Sequence, residues 1–186
     1  MRLLILDRDG VINADSESFI RSPEDWQPLP GSLEAIAQAS EMGFRIVVVS
    51  NQSGLARGLF TIEDLNAINA KMHKHVTKAG GRIDAVFFCP HGPDDGCTCR
   101  KPSGQLLVSI AERLRIDLSD TYFIGDRISD VTAARAAGAR PILVCTGHGA
   151  SERERLADSS VPVFDDLSAA VGWLASALPP VKSASA

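Results

Sequence analysis

The sequence predicts an α/β fold, a three-layer sandwich around a central parallel sheet. Three observations lead there. Short runs rich in Val, Ile, Leu and Phe alternate with stretches of helical periodicity. The runs are continuously apolar, the mark of strands covered on both faces, as in a parallel sheet flanked by helices. Acidic and hydroxyl residues stand at or just past the ends of several runs, at Asp7, Ser50 and Asp126. A parallel sheet carries such positions to one edge, where open α/β sheets bind their ligands.

The elements follow in order. Leu3 to Leu6 is an apolar run that stops at Asp7. Ser32 to Met42 is helical, with Leu33, Ile36, Ala37 and Ala39 on or near one face and Gly43 as its stop. Ile46 to Val49 is a β-branched strand ending at Ser50. Thr61 with Asp64 forms an N-terminal capping pattern for a helix reaching Ala79, closed by Gly80 and Gly81. Ala85 to Phe88 is a strand ending at Cys89, and Leu106 to Leu114 is helical. Tyr122 to Ile124 is a strand followed by Gly125 and Asp126. Val131 to Ala137 is a short helix, Pro141 to Cys145 a strand, Val161 to Phe164 a short sixth strand, and Leu167 to Leu178 a last helix. The segments between Asp7 and Ser32 and between Cys89 and Ser103 are loop-like, and make natural walls for a site. One domain is expected over 1–178, with a disordered tail over 179–186.

Composition sets outer limits. Of 186 residues, 45% are hydrophobic and 23% charged, enough apolar material for a core without disulfides. The net charge of −4 argues against a broad nucleic-acid surface. No apolar run approaches the roughly 20 residues of a membrane span, and the start, acidic by Asp7, does not suit a signal peptide. A cytoplasmic monomer is expected, with no nucleic-acid or membrane partner.

In Leu6-Asp7-Arg8-Asp9-Gly10 two carboxylates stand at i and i+2 as a strand runs out. A carboxylate attacks phosphorus only if its charge is offset, and a bridging Mg²⁺ does this. Asp126 supplies another hard oxygen ligand of the kind magnesium prefers. Asp9 is placed to protonate a leaving oxygen and then to activate water. By itself Asp-x-Asp fits a turn cap equally well, and its position among the other strand ends is what favours chemistry.

Three of the four cysteines, Cys89, Cys97 and Cys99, fall close together with His91, in the pattern C-x-H-x5-C-x-C. Three thiolates and an imidazole suit a closed tetrahedral Zn²⁺ site, structural because no position is left for water. Such a metal staples the loop 89–101 and fixes Arg100 and Lys101 directly behind it. Cys145 reads as a buried small hydrophobe. His73 and His75, on a helix among lysines, read as surface residues.

Asp7-Arg8-Asp9-Gly10-Val11, Ser50-Asn51-Gln52, Lys101-Pro102 and Gly125-Asp126-Arg127-Ile128-Ser129-Asp130 resemble the four ordered motifs of the haloacid dehalogenase-like phosphatases. The resemblance implies a Rossmann-like fold of that type. It implies Asp7 as nucleophile, Asp9 as general acid and base, and Mg²⁺ held by the Asp7 carboxylate, the Asp9 carbonyl and Asp126. It also implies that Ser50 holds the transferring phosphoryl group, that Lys101 neutralises charge there, and that Asp130 supports Lys101 or the metal. Ser50-Asn51-Gln52-Ser53-Gly54-Leu55-Ala56-Arg57-Gly58 and the short cysteine loop are similar to a branch of the family acting on a sugar bisphosphate or an amino-alcohol phosphate. From that likeness Asn51, Gln52, Ser53, Arg57, Arg100 and Lys101 are expected to contact substrate, with Arg57, Arg100 and Lys101 clamping a second phosphate. Ser50 and Arg127 depart from the threonine and lysine common in that branch. With no sizeable insertion there is no large cap domain, so small loops must close over a small phosphorylated sugar. A phosphotransferase or an inactive binding module are the other classes. The presence of Asp9 argues for turnover.

Overall fold

The computed structural model describes residues 2–178. The notion of a disordered tail over 179–186 therefore lies outside the described residues. In chain order the elements are β1 (Arg2–Leu6), α1 (Ser32–Glu41), β2 (Phe44–Asn51), α2 (Ser53–Ala56), α3 (Ile62–Lys78), β3 (Ala85–Cys89) and α4 (Gln105–Leu114). A 3-10 turn (Leu118–Asp120) follows, then β4 (Tyr122–Gly125), α5 (Ile128–Ala137), β5 (Arg140–Val144), α6 (Gly149–Arg155), β6 (Val163–Phe164) and α7 (Leu167–Ala177).

All strand pairs are parallel, in the order β3-β2-β1-β4-β5-β6. The chain moves outward from β1 through β2 to β3, then returns to the other side of β1 as β4. The point where direction reverses is β1/β4, with Leu6 level with both Val48 of β2 and Ile124 of β4. The residues leaving those strands are thus neighbours in space.

Side-chain alternation along the buried strands feeds two cores. Leu4, Leu6, Ile46, Val48 and Ile124 face α1, α3 and α7, packing with Ile36, Ile68, Met72 and Leu174. Leu3, Ile5, Val47, Val49 and Phe123 face α4 and α5, packing with Leu107, Ile110, Ala133 and Ala134. This is the three-layer sandwich expected from the sequence. Helix α3 begins with the anticipated capping box: the Thr61 Oγ1 accepts from the Asp64 N–H at 3.2 Å, and the Asp64 carboxylate accepts from the Thr61 N–H at 2.8 Å. Pro141 is tolerated inside β5 because β6 pairs only with Leu143 and Val144, so no ladder partner is waiting for the proline's missing N–H.

Several expectations need correction. Helices α2 and α6 have no apolar periodicity to announce them; α6 (Gly-Ala-Ser-Glu-Arg-Glu-Arg) is tied down from outside, its Glu152 accepting from the Ile128 N–H at 2.8 Å. Cys145 lies one residue beyond β5 and is partly exposed, not buried. His75 is half-buried with its ring 5.5 Å from that of Trp26, so it packs rather than standing free. Trp26 is fully buried, and Lys71 Nζ donates to the Pro23 and Trp26 carbonyls at 2.7 and 2.8 Å, pinning the long loop after β1 to α3.

Candidate active site

The switch point brings Asp7 (after β1), Ser50 (next to last in β2), Asp126 (after β4) and Asp130 (in the first turn of α5) to one edge of the sheet. Lys101 reaches the same place from the far end of the cysteine loop. Each of the five is buried. Lys101 Nζ lies 2.8 Å from Asp7 Oδ2 and 2.7 Å from Asp130 Oδ1, and donates to the Val49 carbonyl at 3.1 Å. Asp7 Oδ1 accepts from the Arg8 N–H at 2.7 Å. Asp126 Oδ2 accepts from the His148 N–H at 2.8 Å, while its Oδ1 is buried with no partner among the described residues. Gly10 has φ 82°, and a Cβ there would overlap the Asp126 carboxylate, so the turn after Asp9 needs glycine on both counts.

Charge is out of balance in this centre. Carboxylate oxygens of Asp7, Asp126 and Asp130 lie within 4.8 Å of one another, facing a single buried ammonium. Burial pushes Asp7 up to about 7, with Lys101 opposing and Asp130 adding to the rise. Burial, followed by repulsion from Asp7 and Asp130, pushes Asp126 up to about 8. The Lys101 ammonium is disfavoured by burial, but Asp130 and Asp7 outweigh that and raise its pKa. A divalent cation beside Asp7 and Asp126 removes this imbalance and gives the orphaned Asp126 Oδ1 a partner; the hard oxygen donors fit magnesium.

Asp9 is differently placed. Its side chain is partly exposed and lies outside the three-carboxylate group. It accepts from Arg8 Nε and Nη2 at 3.0 and 2.9 Å, from Asn13 Nδ2 at 2.9 Å and from Gln52 Nε2 at 3.1 Å. Burial works against its charge, but Arg8 first, then Asn13 and Gln52, more than compensate, and its pKa is lowered. It is therefore held as an ionised acceptor.

The other residues expected at the site occupy distinct stations. Gln52 Nε2 also donates to Ser50 Oγ at 3.2 Å, and Ser53 is buried at the start of α2. Asn51 turns its amide to the main chain of Lys101. Arg57 is exposed, with its guanidinium 5.7 Å from the Phe19 ring, and Arg100 Nη1 donates to the His91 carbonyl at 3.2 Å. Arg127, left without a role by the sequence, and His148 both meet Asp15: Arg127 Nη2 and His148 Nε2 each lie 3.0 Å from Asp15 Oδ2. Asp130 also accepts from the Arg127 N–H at 3.0 Å. Arg8, Asn13 and Asp15 were not anticipated. Their only sequence signal is proximity to Asp7 and Asp9.

In the loop, Cys89 Sγ lies 3.1 Å from Cys99 Sγ and 3.6 Å from Cys97 Sγ, and His91 Nδ1 lies 3.3 Å from Cys99 Sγ. These thiols are free, well beyond the ~2.05 Å of a disulfide. A tetrahedron with Zn–S bonds of about 2.3 Å has edges of roughly 3.7 Å. The Cys89 separations from Cys97 and His91, both 3.6 Å, come close to it, and those of Cys99 from Cys89 and His91 are shorter.

A buried aspartate at the end of the first strand, backed by a lysine and two further carboxylates on a parallel sheet, defines a phosphatase of the HAD-like type. The HAD-hydrolase-like family model matches residues 98–170. A D-glycero-beta-D-manno-heptose-1,7-bisphosphate 7-phosphatase from Bordetella bronchiseptica is 50% identical over 173 residues, covering 91% of this chain and 95% of that protein. Its counterpart from Pseudomonas putida is 47% identical, covering 91% and 97%. The crystal structure of a D,D-heptose 1,7-bisphosphate phosphatase from B. bronchiseptica, complexed with magnesium and phosphate, has a TM-score of 0.93 at 46% identity, covering 96% of this chain and 100% of that one. The chain belongs to the family of these heptose bisphosphate phosphatases.

Proposed function

We propose that the chain removes the 7-phosphate of D-glycero-β-D-manno-heptose 1,7-bisphosphate, with Mg²⁺ at Asp7, the Asp9 carbonyl and Asp126, and with a structural Zn²⁺ at Cys89, His91, Cys97 and Cys99. The observation that carries the reading is the buried Asp7–Lys101–Asp130 group, with Asp126 beside it and a crowding of carboxylates that a divalent cation relieves. The substrate rests on relatives near 50% identity that match almost the whole chain. Magnesium, when bound, shields the nucleophile from the phosphate's charge.

The chain's own residues divide the rest of the work. Asp7 attacks the phosphorus, the bond from phosphorus to the C7 oxygen breaks, and phospho-Asp7 forms. Asp9 gives the departing oxygen its proton. Water then attacks the phosphorus of phospho-Asp7 as Asp9 takes its proton, the bond from phosphorus to the Asp7 oxygen breaks, and inorganic phosphate leaves with the Asp7 carboxylate restored. The two bonds from Arg8 favour the ionised Asp9 carboxylate, the form that takes up a proton in the second step. Ser50 and Lys101 hold the transferring oxygens, electrostatic contacts on which phosphoryl transfer chiefly depends. Because Lys101 is turned inward to Asp7 and Asp130, the distal phosphate falls to Arg100 and Arg57. The deciding measurement is kcat/KM for heptose 1,7-bisphosphate against histidinol phosphate, with ³¹P NMR to identify the phosphate that leaves and Asp7→Asn as an inactive control. Preference for histidinol phosphate, or release of the 1-phosphate, would overturn the substrate reading.

A further inference from the structure

Asn51 follows Ser50 at the end of β2 and was expected from the sequence to touch substrate. Its amide is engaged elsewhere. Asn51 Oδ1 accepts from the Lys101 N–H at 3.1 Å and Asn51 Nδ2 donates to the Lys101 carbonyl at 3.1 Å. The pairing spans fifty residues of sequence. Lys101 lies in a turn, outside every strand and helix, and among the described residues these are the hydrogen bonds of its main-chain N–H and carbonyl. A primary amide presents one donor and one acceptor side by side, the complement of a peptide's own N–H and C=O. Neither Ala nor Asp offers both.

The cysteine loop is thus sewn to β2 at each end. At its entry the Gln52 N–H donates to the Cys89 carbonyl at 2.7 Å, continuing the β2–β3 register in which Asn51 faces Cys89. At its exit stands Asn51. The lysine stem is long and flexible, so where its ammonium sits depends on where its Cα is held. Yet that ammonium must fall within 2.8 Å of both Asp7 and Asp130.

We infer that Asn51 is a positioning residue: it fixes the main chain of Lys101, and through it the ammonium at the reacting phosphoryl group, instead of reading the sugar. The inference rests on the phosphatase reading of Lys101 and not on the identity of the sugar. Because Lys101 serves the phosphoryl group common to all substrates, the consequence of losing Asn51 is blind to the leaving group.

The test compares wild type, Asn51→Ala and Asn51→Asp on heptose 1,7-bisphosphate and on p-nitrophenyl phosphate, which has no sugar. Hydrogen exchange is followed by mass spectrometry on the same proteins. Displacement of a catalytic group by about an ångström costs on the order of 100-fold in rate. The expected result is a loss of roughly 10- to 100-fold in kcat/KM for Asn51→Ala, by the same factor on both substrates. Exchange should quicken around Lys101 and stay unchanged in β1 and β4. Asn51→Asp keeps the acceptor for the Lys101 N–H and is read in the same way if the alanine variant does not fold. Loss confined to the sugar bisphosphate would make Asn51 a substrate contact and overturn the inference. So would an unchanged rate, a rate loss without faster exchange at Lys101, or exchange that rises throughout the sheet. If wild type turns over p-nitrophenyl phosphate but not the heptose bisphosphate, the proposed substrate fails while the Asn51 comparison still stands on the former compound.

Discussion

Asp126 shows how a single residue links stability to chemistry. Its folded pKa of about 8 stands above the ordinary 3.8, because burial and then Asp7 and Asp130 disfavour its charge. A carboxyl whose pKa is raised on folding binds its proton more tightly in the folded state. In metal-free protein this group therefore withdraws stability as pH climbs from about 4 to about 8. Near neutral pH in EDTA, Asp126→Asn should melt above wild type, by about 2–4 °C for each kcal/mol relieved. Excess Mg²⁺ should raise the wild-type Tm and leave the variant unmoved. Thermal melts of both proteins with and without Mg²⁺ check this, and a wild-type Tm indifferent to Mg²⁺ would count against the metal site. Arg100 makes a second residue-scale case. Its guanidinium is fixed by the His91 carbonyl at the loop's edge, a planar fork suited to two phosphate oxygens. Arg100→Ala is expected to penalise a bisphosphate more than a monophosphate by about 1.5–3 kcal/mol, the range for a hydrogen bond to a charged group. Equal losses in kcat/KM on the two substrates would remove it from specificity.

At the scale of elements, local chemistry wrote most boundaries into the sequence. The start of α3 is set by Thr61 and Asp64, whose reciprocal bonds satisfy two otherwise orphaned N–H groups. Thr61→Ala should cost about 0.5–2 kcal/mol, seen as a lower midpoint in urea with kcat unchanged, since the cap lies outside the residues of the site. No change in midpoint would mean that α3 is held by its tertiary packing alone. Continuous apolar runs marked the inner strands because burial on both faces leaves no polar position to confuse the period; the edge strands β3 and β6 are only partly buried but carry short apolar runs as well. Helices α2 and α6 were not legible: one is a single turn, and the other owes its place to Glu152 reaching the N-terminus of α5. Such a contact joins residues 24 apart and leaves no local pattern.

The whole molecule couples two centres through one loop. Gln52 and Asn51 grip segment 89–101 at its two ends, the cysteine cluster gathers it between them, and Lys101 projects from it into the carboxylates. Freshly purified, reduced protein should carry about one Zn²⁺ per chain, as a closed thiolate site does. Stripping it with a chelator should quicken hydrogen exchange over 89–101 and lower kcat while the sheet stays protected. Absence of zinc by elemental analysis, or unfolding of the sheet with its removal, would contradict that coupling.

The sequence by itself determined the parallel α/β sandwich and the grouping of Asp7, Ser50 and Asp126. Strand periodicity and chain order suffice to put strand ends on one edge. It also displayed the cysteine cluster, because ligands close in sequence reveal their spacing. Only the tertiary structure decided which partner each group takes. Arg8 and Gln52 close on Asp9, Asp15 gathers Arg127 and His148, and Asn51 serves Lys101. The reason is that a side chain's role is set by what lies within about 3 Å of it. Contacts between loops after different strands depend on backbone paths that no local pattern encodes.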